Sequence, residues 1–491
     1  MTLEALIRAL TPSEVLPGAV TGDRPVEIGD LAYDTRVVSA GAMFFCVAGL
    51  RVDGHDLAWE AIERGAAALV VERPLEVGVP QVVVPDSRAA MAVAADVFFG
   101  EPTKELEIAG VTGTNGKTTT AFLLSSMLEA DGRRPGLVGT VEWRVGGARR
   151  PAPFTTPEAI DLQRLFREML DAGDRSVALE ASSHGAALRR LERVRFDALV
   201  FTNLGHDHLD LHGTMEDYFT AKRALFMRAQ PPPAAVSLGD EWGRRLAADL
   251  ADLHRAPLVT FGLDEPAEVR PEGLEITPEG SRFHAAGIEI ETRLRGAFNV
   301  ENVLGAVAAG LLLDLDEDAI ARGIAAVDAV PGRFESVDEG QPFTVLVDYA
   351  HTPDSLETAL RAARGLGSGR VLVVFGAGGD RDRAKRPLMG RVAVELSDVA
   401  IVTSDNPRSE DPLAIIQDVL QGTGVDVEID PDRRSAIQRA VHLAEPGDVV
   451  VIAGKGHEQG QDVGGVVEPF DDREVAREAL GGLPSTRQAA P

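Results

Sequence analysis

Cysteine is almost absent from this chain: Cys46 stands alone among 491 residues. One thiol closes no intrachain disulfide, so the pattern fits a reducing compartment and a fold held by its core. Long hydrophobic runs are missing too. The longest uncharged apolar stretches, such as Val303 to Leu313, fall far short of the ~18 residues a membrane span needs. The first ten residues lack the basic start and continuous apolar run of a secretory signal. Leu3, Leu6, Ile7 and Leu10 sit at helical spacing around Glu4, which predicts a short amphipathic helix. A soluble, cytoplasmic protein is expected.

Basic charge is also in short supply. Against 77 acidic residues stand 49 basic ones, a net charge of −28. That field repels nucleic acid and anionic lipid, which need basic patches to release counterions. An anionic partner must therefore be gripped by local cations. Of the basic residues only five are lysines: Lys104, Lys117, Lys222, Lys385 and Lys455. Where arginine serves every generic need for charge, a retained lysine points to a compact contact or an amine that deprotonates.

What is present is ordinary for a folded soluble protein: 44% hydrophobic and 26% charged residues. At roughly 150 residues per domain the length predicts about three domains. Short apolar runs at Ala42–Val47, Ala68–Val71 and Gln81–Val84 read as buried strands, and Leu57–Glu63 as a helix. A polar break at Glu101–Thr103 precedes a strand at Leu106–Val111, a helix at Lys117–Ala130, and strands at Val177–Glu180 and Ala198–Thr202. Pro231–Pro233 is a loop, and Glu265–Phe283 is turn-rich without strong period. After a second break from Pro331 to near Pro342, strands at Val345–Val347, Val371–Phe375, Ala400–Thr403 and Val449–Ile452 alternate with helices. The tail from Gly481 is expected to fray. The fold class is α/β with mainly parallel sheets. It comprises an N-terminal α/β domain over 1–104, a central phosphate-loop domain over 105–334 and a C-terminal Rossmann-like, doubly wound domain over 335–491.

The strongest signal lies where the strand at Leu106–Val111 runs into Thr112-Gly113-Thr114-Asn115-Gly116-Lys117-Thr118-Thr119 and then a helix. Glycines let backbone N–H groups turn onto a phosphate, the helix N-terminus adds its positive end, and Lys117 supplies a mobile charge. Thr118 is placed to offer a hydroxyl to magnesium. The spacing is G-x-x-G-K-T, because Val111 holds the first glycine position of the usual loop. Nucleotide binding follows, but no particular reaction.

This shortened loop resembles that of the Mur ligase family and its folylpolyglutamate synthase relatives. Further elements match in order: Glu180-Ala181-Ser182-Ser183-His184, Thr202-Asn203 with Asp207-His208 and Asp210, Tyr218 to Lys222, Phe298-Asn299 with Asn302, and Pro331-Gly332-Arg333-Phe334-Glu335. The resemblance implies an amide ligase that activates a carboxylate as an acyl phosphate using ATP and Mg2+. It implies ATP contacts at Gly113, Thr114, Asn115, Gly116, Lys117, Thr118, Thr119, Asn302 and Arg333, with Asn302 facing adenine and Arg333 touching phosphate. It implies magnesium ligands at Thr118, Glu180, His208 and Lys222, and a catalytic set of Lys117, Glu180, His208, Lys222 and Arg333. His206 and His212 lie close by, and the sequence leaves them open as ligands. A lysine ammonium beside two magnesium ions would be repelled. Its neutral amine, however, captures carbon dioxide as a carbamate, and the family's modified lysine (N6-carboxylysine) falls on Lys222.

Asp34-Thr35-Arg36, Gly41, Phe44 and Asp53-Gly54-His55 look like the uridine-nucleotide end of the branch that adds the third residue of the peptidoglycan stem. Thr35 replaces that branch's usual serine and keeps its hydroxyl. The resemblance then implies contacts to UDP-N-acetylmuramoyl-L-Ala-D-Glu at Tyr33, Thr35, Thr155, Thr156, Ser182 and Arg190. In the third domain, Gly378 to Asp382, Lys385-Arg386-Pro387, Ser404 to Arg408 and Gly454 to Glu458 each follow an apolar strand. They therefore gather at the carboxyl edge of one sheet, where such sheets bind ligands. Mixed cations and carboxylates suit a zwitterion. Asp405-Asn406-Pro407-Arg408 resembles the version that selects meso-diaminopimelate, read by Arg381, Asp405, Asn406, Pro407, Arg408, Gly454 and Glu458. Lysine or ornithine as the added residue is the near alternative. A folylpolyglutamate synthase would lack the hundred residues before the loop, and a phosphate-loop ATPase would leave the third domain unexplained. No nucleic-acid or membrane partner is expected, and the chain is expected to be a monomer.

Overall fold

The computed structural model describes residues 1–16, 18, 25–49, 52–264 and 266–483. Of the tail expected to fray from Gly481, residues 484 onward lie outside them, as does Glu265 at the start of the turn-rich stretch, while Gly481 itself ends the helix Asp472–Gly481. Packing divides the chain into two compact units, 1–110 with 133–197 and 111–132 with 198–491. The three segments expected along the sequence are a separate division, and the central one contributes to both units.

The first unit opens with the amphipathic helix Leu3–Leu10, capped by the Thr2 hydroxyl, with Leu3, Leu6 and Leu10 buried. Its five-stranded sheet runs Glu14–Leu16, Gln81–Val83, Ala68–Val71, Ala42–Phe45, Asp30–Ala32, parallel except for the first pair. Those four-residue strands are buried on both faces, as parallel sheets require. The same unit holds Ser176–Glu180 parallel to Pro135–Val138, followed by the antiparallel hairpin Glu142–Val145 and Ala148–Pro151.

Strand Glu107–Thr112 passes from one unit into the other and ends on the phosphate loop. In the second unit the Thr202 amide donates to the Thr112 carbonyl at 3.0 Å, and Ala198–Phe201, Ala234–Ser237 and Leu258–Phe261 follow in parallel. Helix Ala297–Leu312 contains most of the apolar run noted above. It is apolar nearly all round because it is buried, against the helix Lys117–Ala130 and the strands beside it.

The turn-rich stretch is in fact a three-stranded antiparallel sheet, Glu272–Thr277, Gly280–Ala285 and Ile288–Thr292. Its first strand is exposed on both faces, and the buried face of the second carries Ser281 and Ala285 with only Phe283 as a large apolar residue. A two-residue hydrophobic alternation is therefore barely written there. The second break likewise holds a short strand, Glu335–Ser336, antiparallel to Thr344–Asp348.

The third sheet runs Glu335–Ser336, Thr344–Asp348, Val449–Ala453, Val371–Phe375, Val399–Val402, Glu428–Ile429, parallel after the first strand. Helices cover both of its faces over two separate apolar clusters. Among the described residues no helix is long and apolar enough to cross a membrane.

Candidate functional site

The phosphate loop is shaped by what presses against it. Gly113 and Gly116 both take positive φ, +151° and +86°. A Cβ on Gly113 would overlap the Thr202 hydroxyl, and one on Gly116 would overlap Asn302 Oδ1, so only glycine fits either place. Thr202 and Asn203 brace the loop: the Thr202 hydroxyl donates to the Asn115 carbonyl at 2.6 Å, and Asn203 Oδ1 accepts the Asn115 amide at 2.9 Å. Lys117 Nζ folds back over the loop, donating to the carbonyls of Gly113 (3.0 Å) and Thr114 (2.8 Å). Thr118 is buried at the helix start and its hydroxyl accepts from Arg333 Nη2 at 3.2 Å.

Arg333 stacks over the Tyr349 ring at 4.3 Å, and its Nη1 is buried without a hydrogen-bond partner. Such an orphaned donor at the mouth of a phosphate loop suits an anionic oxygen. Asn302 sits against Gly116 and donates to Asn299 Oδ1 at 3.0 Å.

Lys222, only 1% exposed, lies at the same loop. Its Nζ donates to the Gly113 carbonyl at 2.6 Å and lies 4.7 Å from the centre of the Tyr218 ring. Burial, reinforced by the nearby Lys117 charge, holds this amine far below the usual lysine range. That direction favours the neutral amine, the form that reacts with carbon dioxide. The three histidines of the adjoining segment part company. His208, at φ +54°, turns Nε2 to Asp207 Oδ2 at 3.3 Å. His206 reaches Asp382 at 3.6 Å, and His212 stacks on Tyr218. Among the described residues no three His, Cys, Asp or Glu side chains cluster as a metal cage. Magnesium takes few protein ligands and keeps phosphate and water oxygens around it, so a site at this loop needs no such cage.

In the first unit a second constellation forms around Glu180, at the end of its strand. The Thr140 amide and hydroxyl donate to the two carboxylate oxygens at 2.8 and 2.9 Å. The Thr140 hydroxyl also meets that of Thr155 at 3.0 Å. Thr156 donates to the Glu180 carbonyl at 2.7 Å and accepts the Ser182 amide at 3.0 Å. Arg190 donates to the Thr156 carbonyl at 2.9 Å and pairs with Glu158, while its Nε is buried without a partner. Glu180, Thr155, Thr156, Ser182 and Arg190, far apart in sequence, are thus one cluster. In the N-terminal sheet's neighbourhood Thr35 is buried. The Tyr33 hydroxyl is turned inward, donating to Asp161 at 2.6 Å.

The third-domain rim also assembles. The Gly379 amide donates to the Asn406 carbonyl at 2.9 Å, so the Gly378–Asp382 loop lies directly on Asp405–Arg408. Arg408 adopts φ +53° and its Nη1 donates to the Gly379 carbonyl at 2.6 Å. Buried Lys455 donates to Asn406 Oδ1 (3.0 Å) and to Glu458 (3.2 Å), and Asn406 donates to the same Glu458 oxygen at 2.7 Å. Burial, with Asp405 nearby, pushes the Glu458 carboxyl upward. Asp405 Oδ2 is buried with no partner and lies against Gly454, at φ +121°. At this rim Asp405 Oδ2 thus lacks a hydrogen-bond partner, while one Glu458 oxygen is engaged by Asn406 and Lys455. Arg381 is exposed.

Sequence reasoning missed several of these residues. Gly139-Thr140 hold Glu180, and Asp348 and Tyr349 flank Arg333; Arg386, which the sequence did single out, is buried and ties Glu410 and Asp418 to the Gly378 carbonyl. Asp348, half-buried, accepts the Phe334 amide at 2.6 Å, and desolvation pushes its carboxyl up to about 6. One signal was available: the chain has only three tyrosines. Each of them, Tyr33, Tyr218 and Tyr349, touches this machinery or its support.

Comparison with known proteins agrees with the geometry. The Mur ligase family catalytic domain matches residues 27–113, the Mur ligase middle domain 111–310, and the Mur ligase glutamate ligase domain 332–456. A UDP-N-acetylmuramoyl-L-alanyl-D-glutamate–2,6-diaminopimelate ligase of Geobacillus thermodenitrificans is 50% identical over 92% of this chain and 95% of its own. The enzyme of the same name from Streptomyces coelicolor is 44% identical over 94% of both. A solved structure of a ligase of that name superposes with TM-score 0.67 at 33% identity, covering 94% of this chain and 97% of the other. A Mycobacterium tuberculosis folylpolyglutamate synthase complexed with ADP and AMPPCP shares the fold at 19% identity, TM-score 0.64, over 81% of this chain and 96% of its own. The chain belongs to the Mur ligase family.

Proposed function

We propose that this protein joins meso-2,6-diaminopimelate to UDP-N-acetylmuramoyl-L-alanyl-D-glutamate at the expense of ATP, a step of peptidoglycan precursor synthesis, and that it acts in the cytoplasm as a monomer. The observation that carries the reading is the third-domain rim. There an unpartnered Asp405 carboxylate oxygen and the Arg408 guanidinium stand on one loop, an acceptor for ammonium and a donor for carboxylate three residues apart. Relatives up to 50% identical carry the same activity in their names.

The chain's residues divide the work by charge. Loop amides from Gly113 to Lys117, with the Lys117 ammonium, cradle the nucleotide phosphates, and Arg333 offers its free Nη1 to the transferring phosphoryl group. Asn302 is assigned to the adenine side. Magnesium, when bound, supplies charge neutralisation between phosphate oxygens, with Thr118, Glu180, His208 and the Lys222 carbamate as proposed ligands. Thr155, Thr156, Ser182 and Arg190 hold the muramoyl dipeptide, with Tyr33 and Thr35 toward the uridine end. The substrate glutamate γ-carboxylate attacks the γ-phosphorus in line, releasing ADP. Asp405 and Arg408 orient the amine, which attacks the acyl carbon, gives up a proton and expels phosphate. Rate enhancement comes mainly from alignment and preorganised charge.

The test is substrate-dependent ADP release by the purified enzyme, with a panel of diaminopimelate, lysine and ornithine. ADP should form only when muramoyl dipeptide and diaminopimelate are both present. Release without amine would favour an ATPase, preference for lysine would overturn the amine assignment, and a requirement for a folate would favour the folylpolyglutamate branch.

A further inference from the structure

Beneath the amino-acid rim lies an ion pair that the reaction does not use. Arg433 and Asp472 are both 0% exposed. Arg433 is the first residue of helix Arg433–Leu443, and Asp472 the first of helix Asp472–Gly481. They meet through a two-pronged contact, Nε to Oδ1 and Nη2 to Oδ2, each 2.7 Å. A cation at a helix N-terminus opposes the helix dipole, so local helix stability does not account for Arg433. Nor does global stability: a buried pair can usually be replaced by apolar residues of similar volume at little cost.

The guanidinium does something that no apolar residue can. Its Nη1 donates to the Ser404 carbonyl at 3.3 Å and its Nη2 to the Ala453 carbonyl at 3.0 Å. Ala453 ends the strand Val449–Ala453, and Ser404 lies two residues beyond Val399–Val402. From those two points the chain turns directly into Asp405–Arg408 and Gly454–Glu458. One planar fork therefore sets the height of both loops, and Asp472 fixes the plane of the fork. The Arg433 charge also faces Asp405 and Glu458, the two carboxylates of the rim.

We propose that Arg433, held by Asp472, is a positioning residue for the amino-acid substrate: it keeps the loops of Asp405 and Glu458 in register so that the ammonium and carboxylate of the incoming amino acid are met together. The inference rests on the functional reading above, because it presumes that these loops bind the amine substrate.

The experiment uses the full-length enzyme and the double variant Arg433→Met/Asp472→Leu, which removes both charges together, so that neither is left buried alone, and withdraws the donor from the Ser404 and Ala453 carbonyls. Arg433→Lys, which keeps the charge but not the fork, is the second variant should the first fail to fold. The melting temperature should stay within a few degrees of wild type. KM for diaminopimelate should rise roughly tenfold, with KM for ATP and for the muramoyl dipeptide unchanged, and Arg433→Lys should fall between. Amide hydrogen exchange at 404–408 and 454–458 should quicken in step. Uniform loss across all three substrates, or unchanged KM and exchange in a folded variant, overturns the proposal. If the wild type itself ignores diaminopimelate, the functional reading fails, and the exchange rates still decide whether the pair holds the loops.

Discussion

Arg408 offers the sharpest test of substrate choice. Its backbone is pinned independently of its side chain: the amide donates to the Asp462 carbonyl at 3.0 Å and its carbonyl accepts the Gly464 amide at 2.7 Å. Arg408→Ala should therefore leave the loop in place while removing the guanidinium. Two readings then diverge. If the guanidinium pairs with the distal carboxylate of diaminopimelate, the loss is that of a charge-assisted hydrogen bond. Such a bond is worth ~1.5–3 kcal/mol, or roughly ten- to hundredfold in kcat/KM. Lysine, with a bare ammonium at that end, meets Arg408 as a like charge in the wild type. Its use should improve relative to diaminopimelate in the variant, because part of the discrimination is repulsive.

The competing reading starts from the bond Arg408 already makes, Nη1 to the Gly379 carbonyl at 2.6 Å. If bracing the Gly378–Asp382 loop is its whole role, leaving that carbonyl unpaired costs a similar ~1–3 kcal/mol. The cost would then fall on both amines alike. The assay is kcat/KM for each amine with wild type and Arg408→Ala under saturating ATP and muramoyl dipeptide. An unchanged lysine-to-diaminopimelate ratio refutes selection by Arg408, however large the loss in absolute rate.

Three further outcomes are expected. Lys222→Met should abolish most turnover yet raise the melting temperature in CO2-depleted buffer, since it removes an amine that burial disfavours in its charged form, while the Gly113 carbonyl keeps its bond from Lys117. Because the folded-state amine binds fewer protons than the unfolded one between its lowered pKa and 10.5, wild-type stability at this site rises with pH across that window. The variant's advantage should then shrink toward pH 10, and an advantage that does not change with pH would contradict a neutral Lys222. Arg333→Ala should lower kcat at least tenfold with the chain still folded by circular dichroism, and near-normal turnover would remove Arg333 from the phosphate site. Gly139→Ala should lower activity strongly, because a Cβ there overlaps Glu180 Oε1; a variant with unchanged turnover and unchanged magnesium requirement would show that Glu180 can move without consequence.

How much of this was legible in the sequence depended on how the chemistry is encoded. Strands buried on both faces, such as Val371–Phe375 and Val449–Ala453, are written as unbroken apolar runs and read easily. The exposed strand Glu272–Thr277 buries neither face, and its two apolar side chains, Leu274 and Ile276, make too short an alternation to read. Site residues followed the same logic. Lys117 and Lys222 stood out because lysine is scarce, and scarcity is visible without a structure. Tyr218 and Tyr349 were equally scarce, but an aromatic ring has a bland core role available to it, and their value lies in the cations they face. Thr140 and Arg433 carried no such mark. Each works through partners about 40 residues away, Glu180 for the one and Asp472 for the other, and such pairs exist only once strand order and helix register are fixed. Residues that touch substrate tend to lie in compact motifs, because several must act at one point along a loop. Residues that hold those motifs in place are scattered, because the support can come from any element the fold brings near. The first kind can be inferred from spacing, and the second had to wait for coordinates.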